Sequence, residues 1–330
     1  MNIFLKWSSS VGALCLLLLT LAVGNVAARA GTVFGDKETE GSNAAVLGAA
    51  VLDYNGDRKA DFSIFRPSTS TFYIARSDGS FQFSTFGLST DIQTPGDYDG
   101  DGKTDIAVWR PSNGVFYVLR SSDGQVQFFQ FGSNGDEPVA RDYDGDGKTD
   151  FAVVRRTGGR MIWYITNSLT GTFRAEQFGL SSDITAPGDY DGDTKSDLAV
   201  FRNQSNGQGT FYVQQSTLGF TARQFGLGTD LVVPGDYDGD GKTDYALVRQ
   251  GTQYIWYILR SSDGAVSITQ FGAKPQYTTQ ADYDGDGRTD ISTWDPIAGT
   301  FYVLQSSNGA IRLYSFGRNG DYPVANYDTH

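Results

Sequence analysis

The chain has 330 residues, with 26 basic against 38 acidic side chains and a formal charge of −12. That balance excludes nucleic-acid binding and repels anionic lipid. Aromatic residues at 14% require a packed core and exclude an acidic disordered tail.

Residues 1–30 read as an export signal. Lys6 supplies a positive start, Val11 to Val23 is an apolar run interrupted by Gly12 and Thr20, and Ala28-Arg29-Ala30 offers a cleavage site. The run is shorter than the roughly 20 residues of a membrane-spanning helix. The expectation is cleavage after Ala30, with an uncleaved anchor as the alternative. The mature protein, residues 31–330, is then secreted to the periplasm, cell surface or medium without membrane insertion. Cys15, the one cysteine, falls in the signal after Gly12-Ala13-Leu14, a context that does not suit lipidation. The mature chain therefore forms no disulfide and is held together otherwise. Loss of Lys6 and Arg29 takes the 26 basic residues to 24 against 38 acids, a charge of −14.

The remainder is periodic. Asp53, Asp97, Asp142, Asp189, Asp236 and Asp282 open one loop at spacings of 44, 45, 47, 47 and 46 residues, with a truncated echo at Asn326-Tyr327-Asp328. Phe-Gly keeps step at Phe86, Phe131, Phe178, Phe225, Phe271 and Phe316, with an early copy at Phe34. Within the second unit, alternating apolar residues predict strands from Ile106 to Arg110, Val115 to Arg120 and Val126 to Phe131. Pro111-Ser112-Asn113-Gly114 and Ser122-Asp123-Gly124 supply the turns, and Pro138 to Asp142 runs into the next acidic loop. Four short strands at this period predict an all-β fold, a β-propeller of four-stranded antiparallel blades. A linear β-solenoid is the alternative. A closed ring is favoured because it removes exposed sheet edges. Six complete units predict six blades. Thr32 to Gly35 resembles a last strand and Pro323 to Asp328 a first strand, so a poor seventh blade or an overlap at the seam stays open.

Each loop places carboxylates at positions 1, 3, 5 and 9. They are Asp97, Asp99, Asp101 and Asp105; Asp142, Asp144, Asp146 and Asp150; Asp236, Asp238, Asp240 and Asp244; and Asp282, Asp284, Asp286 and Asp290. Four carboxylates this close repel strongly without a cation. Alternate side chains wrapped round an ion suit Ca²⁺, which takes six to eight oxygens. The main-chain carbonyl of position 7 (Lys103, Lys148, Lys195, Lys242 or Arg288) can add one more. The chain holds 34 Asp against 4 Glu, and 23 of the 38 acids lie in the loops. About six Ca²⁺ are expected. The helical EF-hand is excluded, because its position-12 Glu is replaced by Ile64, Val108, Val153, Val200, Leu247 or Thr293 on predicted strands. Two loops depart from the pattern. Asp189, Asp191, Asp193 and Asp197 come with Thr194 at the position-6 glycine, so that loop must strain or shift. Asp53, Asp57 and Asp61 come with Asn55 at position 3 and Arg58 at position 6, which makes this the weakest site. The Asn326 copy ends too early to bind.

At these residues the sequence resembles the FG-GAP (or VCBS) repeat family of integrin α-subunit propellers and many secreted bacterial proteins. The motif is Asp97-Tyr98-Asp99-Gly100-Asp101-Gly102-Lys103-Thr104-Asp105 and its copies, and the resemblance covers Thr32 to Asp328. It implies calcium in the hairpin joining the first and second strands of each blade. It also implies adhesion or the binding of carbohydrate or protein, and in some members a propeller attached to a catalytic domain.

Other features carry less. Gly102-Lys103-Thr104 lacks the earlier glycine of a phosphate loop, since Asp97 stands there, and it precedes a strand. The sole histidine, His330, leaves no Ser-His-Asp triad or histidine metal site. Asp91, Asp136, Asp183, Asp230, Gln276 and Asp321 follow each Phe by five residues, and Arg66, Arg110, Arg155, Arg202, Arg249 and Asp295 end each second strand. Both sets are expected on the face opposite the acidic loops, as Arg–Asp pairs tying blades together or as a polar rim around a ligand. Phe72-Tyr73, Phe116-Tyr117, Trp163-Tyr164, Phe211-Tyr212, Trp256-Tyr257 and Phe301-Tyr302 are expected as inter-blade core, with sugar stacking as the minority reading. The function expected is a non-catalytic binding or adhesion module for an extracellular carbohydrate or protein. The alternatives are a carbohydrate-active enzyme on a calcium-stabilised propeller and a structural surface component.

Overall fold

A computed structural model of the chain describes residues 52–325, all within one compact unit. The export segment, Cys15, the Thr32–Gly35 strand, the Asn326 echo and His330 lie outside the described residues.

Period-two alternation produces twenty-four short strands, which pair antiparallel into six sheets of four. The protein is an all-β propeller of six blades. Among the described residues the one helical element is the 3-10 turn Pro67–Thr69, and no helix is long and apolar enough to cross a membrane. In the second unit, Ile106–Arg110, Val115–Leu119 and Val126–Gln130 fall where the alternation places them, the last two one residue shorter. The fourth expected strand is reduced to Glu137–Pro138, which pairs with Phe151–Thr157 and so opens the next blade. It is short because the chain then bends into the acidic loop, with a single further bridge between Arg141 and Asp150.

The first strand of blade one comes from the far end of the chain. Tyr322–Pro323 pairs with Ile64 and Phe65, and Val324 N–H donates to Ser63 O at 2.9 Å. The described ends therefore overlap inside one sheet, and the ring closes at six.

The core lies between blades. Phe72, Phe116, Trp163, Phe211, Trp256 and Phe301 are all essentially buried, and burial of one such side chain contributes about 1.5–3 kcal/mol. They reach into the following blade: Phe116 meets Phe151 with centroids 5.2 Å apart, Phe211 meets Tyr245 at 5.1 Å, and Phe301 meets Phe62 at 5.0 Å. The tyrosine of each pair is half-buried, and Tyr73, Tyr117, Tyr164 and Tyr212 pack against the inter-blade core from its rim. The Phe-Gly corner has its own cause. Trp109, Trp163, Trp256 and Trp294 donate their indole N–H to the carbonyls of Phe131, Phe178, Phe271 and Phe316 at 2.9–3.0 Å. The glycine that follows takes a left-handed backbone, φ +104° at Gly132, where a Cβ would stand 3.2 Å from the Trp109 ring. The fourth strands form the outer edge, and Phe83 there is 77% exposed.

Candidate metal centre

Five acidic loops connect the first strand of a blade to the second; the first, Asp53 to Asp61, leads into the second strand of blade one, whose first strand is Tyr322–Pro323. The position-1 carboxylate organises it. Asp97 accepts Gly100 N–H at 2.6 Å on Oδ1 and Gly102 N–H at 2.8 Å on Oδ2. The position-9 carboxylate is the most deeply buried group, with Asp61, Asp105, Asp150, Asp197, Asp244 and Asp290 at 0–1% exposure. Asp105 accepts Tyr98 N–H at 2.9 Å and Ser121 N–H at 2.7 Å.

Positions 3 and 5 are held by residues that the sequence reading missed. The hydroxyl of Ser122 donates to Asp99 at 2.6 Å and that of Ser121 to Asp101 at 2.9 Å. Ser262 and Ser261 bond Asp238 and Asp240 at 2.6 and 2.8 Å, and Ser307 and Ser306 bond Asp284 and Asp286 at 2.7 and 2.9 Å. These serines belong to the turn between the third and fourth strands of the same blade. Their signal was visible, because Ser-Ser-Asp-Gly recurs at 121–124 and 261–264.

Five loops gather three carboxylates whose oxygens lie within 4.8 Å of one another. They are Asp97, Asp99 and Asp101; Asp142, Asp144 and Asp146; Asp189, Asp191 and Asp197; Asp236, Asp238 and Asp244; and Asp282, Asp284 and Asp290. The donors are all hard carboxylate oxygens, which fits Ca²⁺ or Mg²⁺ and not a thiophilic metal. The fit has an independent sign in the fourth blade, where Asp191 Oδ1 is buried without a hydrogen-bond partner. A buried lone pair of this kind is costly unless something is bound to it. In the first loop Asn55 occupies position 3, and among the described residues Asp53, Asp57 and Asp61 form no such group.

Crowding and burial also act on the proton affinity. Burial, opposed by N–H donors and reinforced by neighbouring carboxylates, pushes Asp61, Asp105, Asp150, Asp244 and Asp290 up to about 6 and Asp197 up to about 7. Burial likewise raises the position-1 groups Asp97, Asp142, Asp189, Asp236 and Asp282.

Position 6 tests the backbone. Gly102, Gly147, Gly241 and Gly287 all have φ of +81° to +84°. Thr194 and Arg58 adopt the same region, at +70° and +66°. Thr194 N–H still reaches Asp189 Oδ2 at 2.7 Å, and Arg58 N–H reaches Asp53 Oδ2 at 2.6 Å. The loop strains and does not shift.

The loops also touch one another. The position-8 N–H of each loop donates to the position-1 carbonyl of the preceding blade: Thr104 to Asp53 at 2.7 Å, and Thr149 to Asp97, Ser196 to Asp142, Thr243 to Asp189 and Thr289 to Asp236 at 2.6 Å. The side chains of Lys103, Lys148, Lys195, Lys242 and Arg288 leave their own loops and lie over Gly56, Gly100, Gly145, Gly192 and Gly239 of the loop before.

At the opposite end of the same hairpins lie the Arg–Asp pairs. Arg66–Asp321, Arg110–Asp91, Arg155–Asp136, Arg202–Asp183 and Arg249–Asp230 are ion pairs of 2.7–2.9 Å with the carboxylate at most 2% exposed. They join the first and second strands of one blade, and so do not bridge two blades. Each guanidinium also covers the pair's tyrosine, with Arg110 4.3 Å from the Tyr117 centroid. In blade six, Gln276 instead accepts Ala273 N–H and the Thr293 hydroxyl at 3.0 Å, and Asp295 caps its own turn at Ile297 and Ala298.

The FG-GAP-like repeat profile matches residues 53–108, 142–200 and 236–293. Each match spans two consecutive acidic loops, so the three together contain all six. The chain belongs to the FG-GAP-like repeat family. No curated protein matches the FG-GAP chain in sequence. Among solved structures it is similar to AofleA from Arthrobotrys oligospora, with 12% identity, 84% of this chain and 90% of that chain covered, and a TM-score of 0.49. It is similar also to virginiamycin B lyase from Staphylococcus aureus, with 13% identity, 82% and 88% covered, and a TM-score of 0.46. Likeness at this level says nothing of the chemistry of this chain.

Proposed function

We propose that this FG-GAP protein is an exported, calcium-loaded propeller that works as a non-catalytic binding or adhesion module for an extracellular carbohydrate or protein. The observation that carries the calcium reading is the recurrence of three carboxylates within 4.8 Å in five loops. Positions 1, 3, 5 and 9 and the carbonyl of position 7 would hold the ion. Bound there, Ca²⁺ offsets the mutual repulsion of the carboxylates. The first loop, with Asn55 and Arg58, is the weakest of the six.

The ligand is assigned to the face opposite the loops. That end of the blades carries Leu88 and Ile297 on connecting segments and Ile184 and Leu231 at the start of first strands, all exposed. The partly exposed Arg–Tyr pairs lie there too. A mixed apolar and polar face of this kind suits a macromolecular surface better than a small buried substrate. Glycan-array and surface-capture binding, with calcium present, tests the reading. Saturable retention without turnover supports it, and release of reducing ends or unsaturated products from a polysaccharide overturns the non-catalytic part.

A further inference from the structure

Between blades one and two lies a cavity of about 350 Å³ whose wall includes Arg76, Gln82, Lys103, Thr104 and Arg120. Its volume falls in the range of small-ligand sites. Three cations and no carboxylate line it, in a chain of formal charge −12.

The cavity has two local causes. At the matching place between blades two and three, Phe129 stacks on Phe151 at 4.3 Å, and between blades six and one Tyr314 stacks on Phe62 at 4.5 Å. Blades one and two carry Ser84 and Ile106 at those positions, and Ile106 forms part of the cavity wall. The second cause is a turn. Arg120 and Arg260, each directly after a third strand, pair with Asp123 and Asp263 three residues on. The corresponding turn in blade one is a residue shorter, with Arg76 N–H bonding Ser80 O where Arg120 N–H bonds Gln125 O. Three residues after Arg76 stands Gly79. One terminal N–H of Arg76 donates to Gln82 Oε1, while its Nε is buried with no hydrogen-bond partner.

A buried guanidinium N–H left without an acceptor is costly, and the planar fork of arginine matches carboxylate, sulfate and phosphate. We infer that this cavity binds a small oxyanion, a carboxylate, sulfate or phosphate group, seated against Arg76 and Lys103. The site lies beside the first and second acidic loops, which contribute Tyr54, Lys103 and Thr104 to its wall, and apart from the ligand face proposed above.

The test is calorimetric titration of the mature chain in calcium buffer at constant ionic strength, using sodium sulfate, sodium glucuronate and, as a neutral control, glucose. Saturable one-to-one binding of either anion, with none of glucose, is expected. Preference for glucuronate identifies a carboxylated sugar as the source, and preference for sulfate a sulfated or phosphorylated one. Arg76→Gln should weaken binding at least tenfold, while Arg260→Gln, at the same turn position in blade five, leaves it unchanged. Absence of saturation with both anions, wild-type affinity in Arg76→Gln, or equal losses in Arg76→Gln and Arg260→Gln each overturn the assignment.

Discussion

The main-chain N–H of Ala60 donates to the carbonyl oxygen of Asp282 at 2.6 Å, and this bond closes the belt that runs through all six loops. Asp282 is also the position-1 carboxylate of its own loop, where it accepts Gly285 and Gly287. One residue thus joins a carboxylate cluster to the blade boundary. Loop order and ring closure are mechanically the same event, so a substitution within one cluster is expected to act on its neighbours. Asp142→Asn should lower calcium affinity at more than one loop, read as lost heat exceeding a single site in calorimetric titration. Loss of one site alone, with the other heats unchanged, would count against the coupling.

The seam supplies a second prediction. Arg66 binds Asp321 through two bonds of 2.7 and 2.8 Å, and the Asp321 side chain is 1% exposed. Removing one partner of a buried pair costs about 3 kcal/mol, because the other charge is left unpaired. Asp321→Ala should therefore destabilise by about that amount in denaturant unfolding. Asp123→Ala, whose pair with Arg120 is largely exposed, should cost less than about 1 kcal/mol. Equal costs would show that the seam pair does not hold the ring shut.

Backbone strain supplies the third. A β-branched residue at positive φ is disfavoured by about 1–2 kcal/mol, and Thr194 sits at φ +70°. Thr194→Gly should gain about 1 kcal/mol in chemical denaturation despite the entropy cost of glycine. The same change at Thr104, which is in position 8, should bring no gain.

Proton linkage gives a fourth, with its sign set by the raised carboxyls. Without metal, the folded state holds protons on Asp105, Asp150, Asp244 and Asp290 up to about pH 6, and on Asp197 up to about 7, whereas an unfolded aspartate releases its proton near 4. The folded state binds more protons in this window, so stability falls as pH rises from about 4 to 7. Calcium held by the deprotonated loops, as proposed, would reverse the slope. Melting curves of metal-stripped and calcium-loaded protein across this range should therefore diverge with rising pH. Parallel curves would contradict the linkage.

Much of this was legible in the sequence. Period-two alternation and turn residues located Ile106–Arg110 to the residue, and the Asp spacing located the loops. Local pattern failed where contacts depend on how blades pack. The Arg–Asp pairs were expected between blades, yet residues 19 apart, such as Asp91 and Arg110, sit at one end of a single hairpin. The aromatic pairs were expected as inter-blade core; the first residue of each is fully buried there, and four of the tyrosines join the core from its rim. The belt from Thr104 to Asp53 left no trace in composition, because both partners are main-chain atoms.

The central claim is that divalent cations make the crowded carboxylates tolerable and thereby stabilise the ring. Thermal unfolding of the mature protein in millimolar calcium and after complete chelation tests it most directly. Each site filled at a hundredfold excess over Kd adds about 2.7 kcal/mol, so five sites should raise the melting temperature by well over 10 °C. Superimposable melting curves in the two conditions would contradict it.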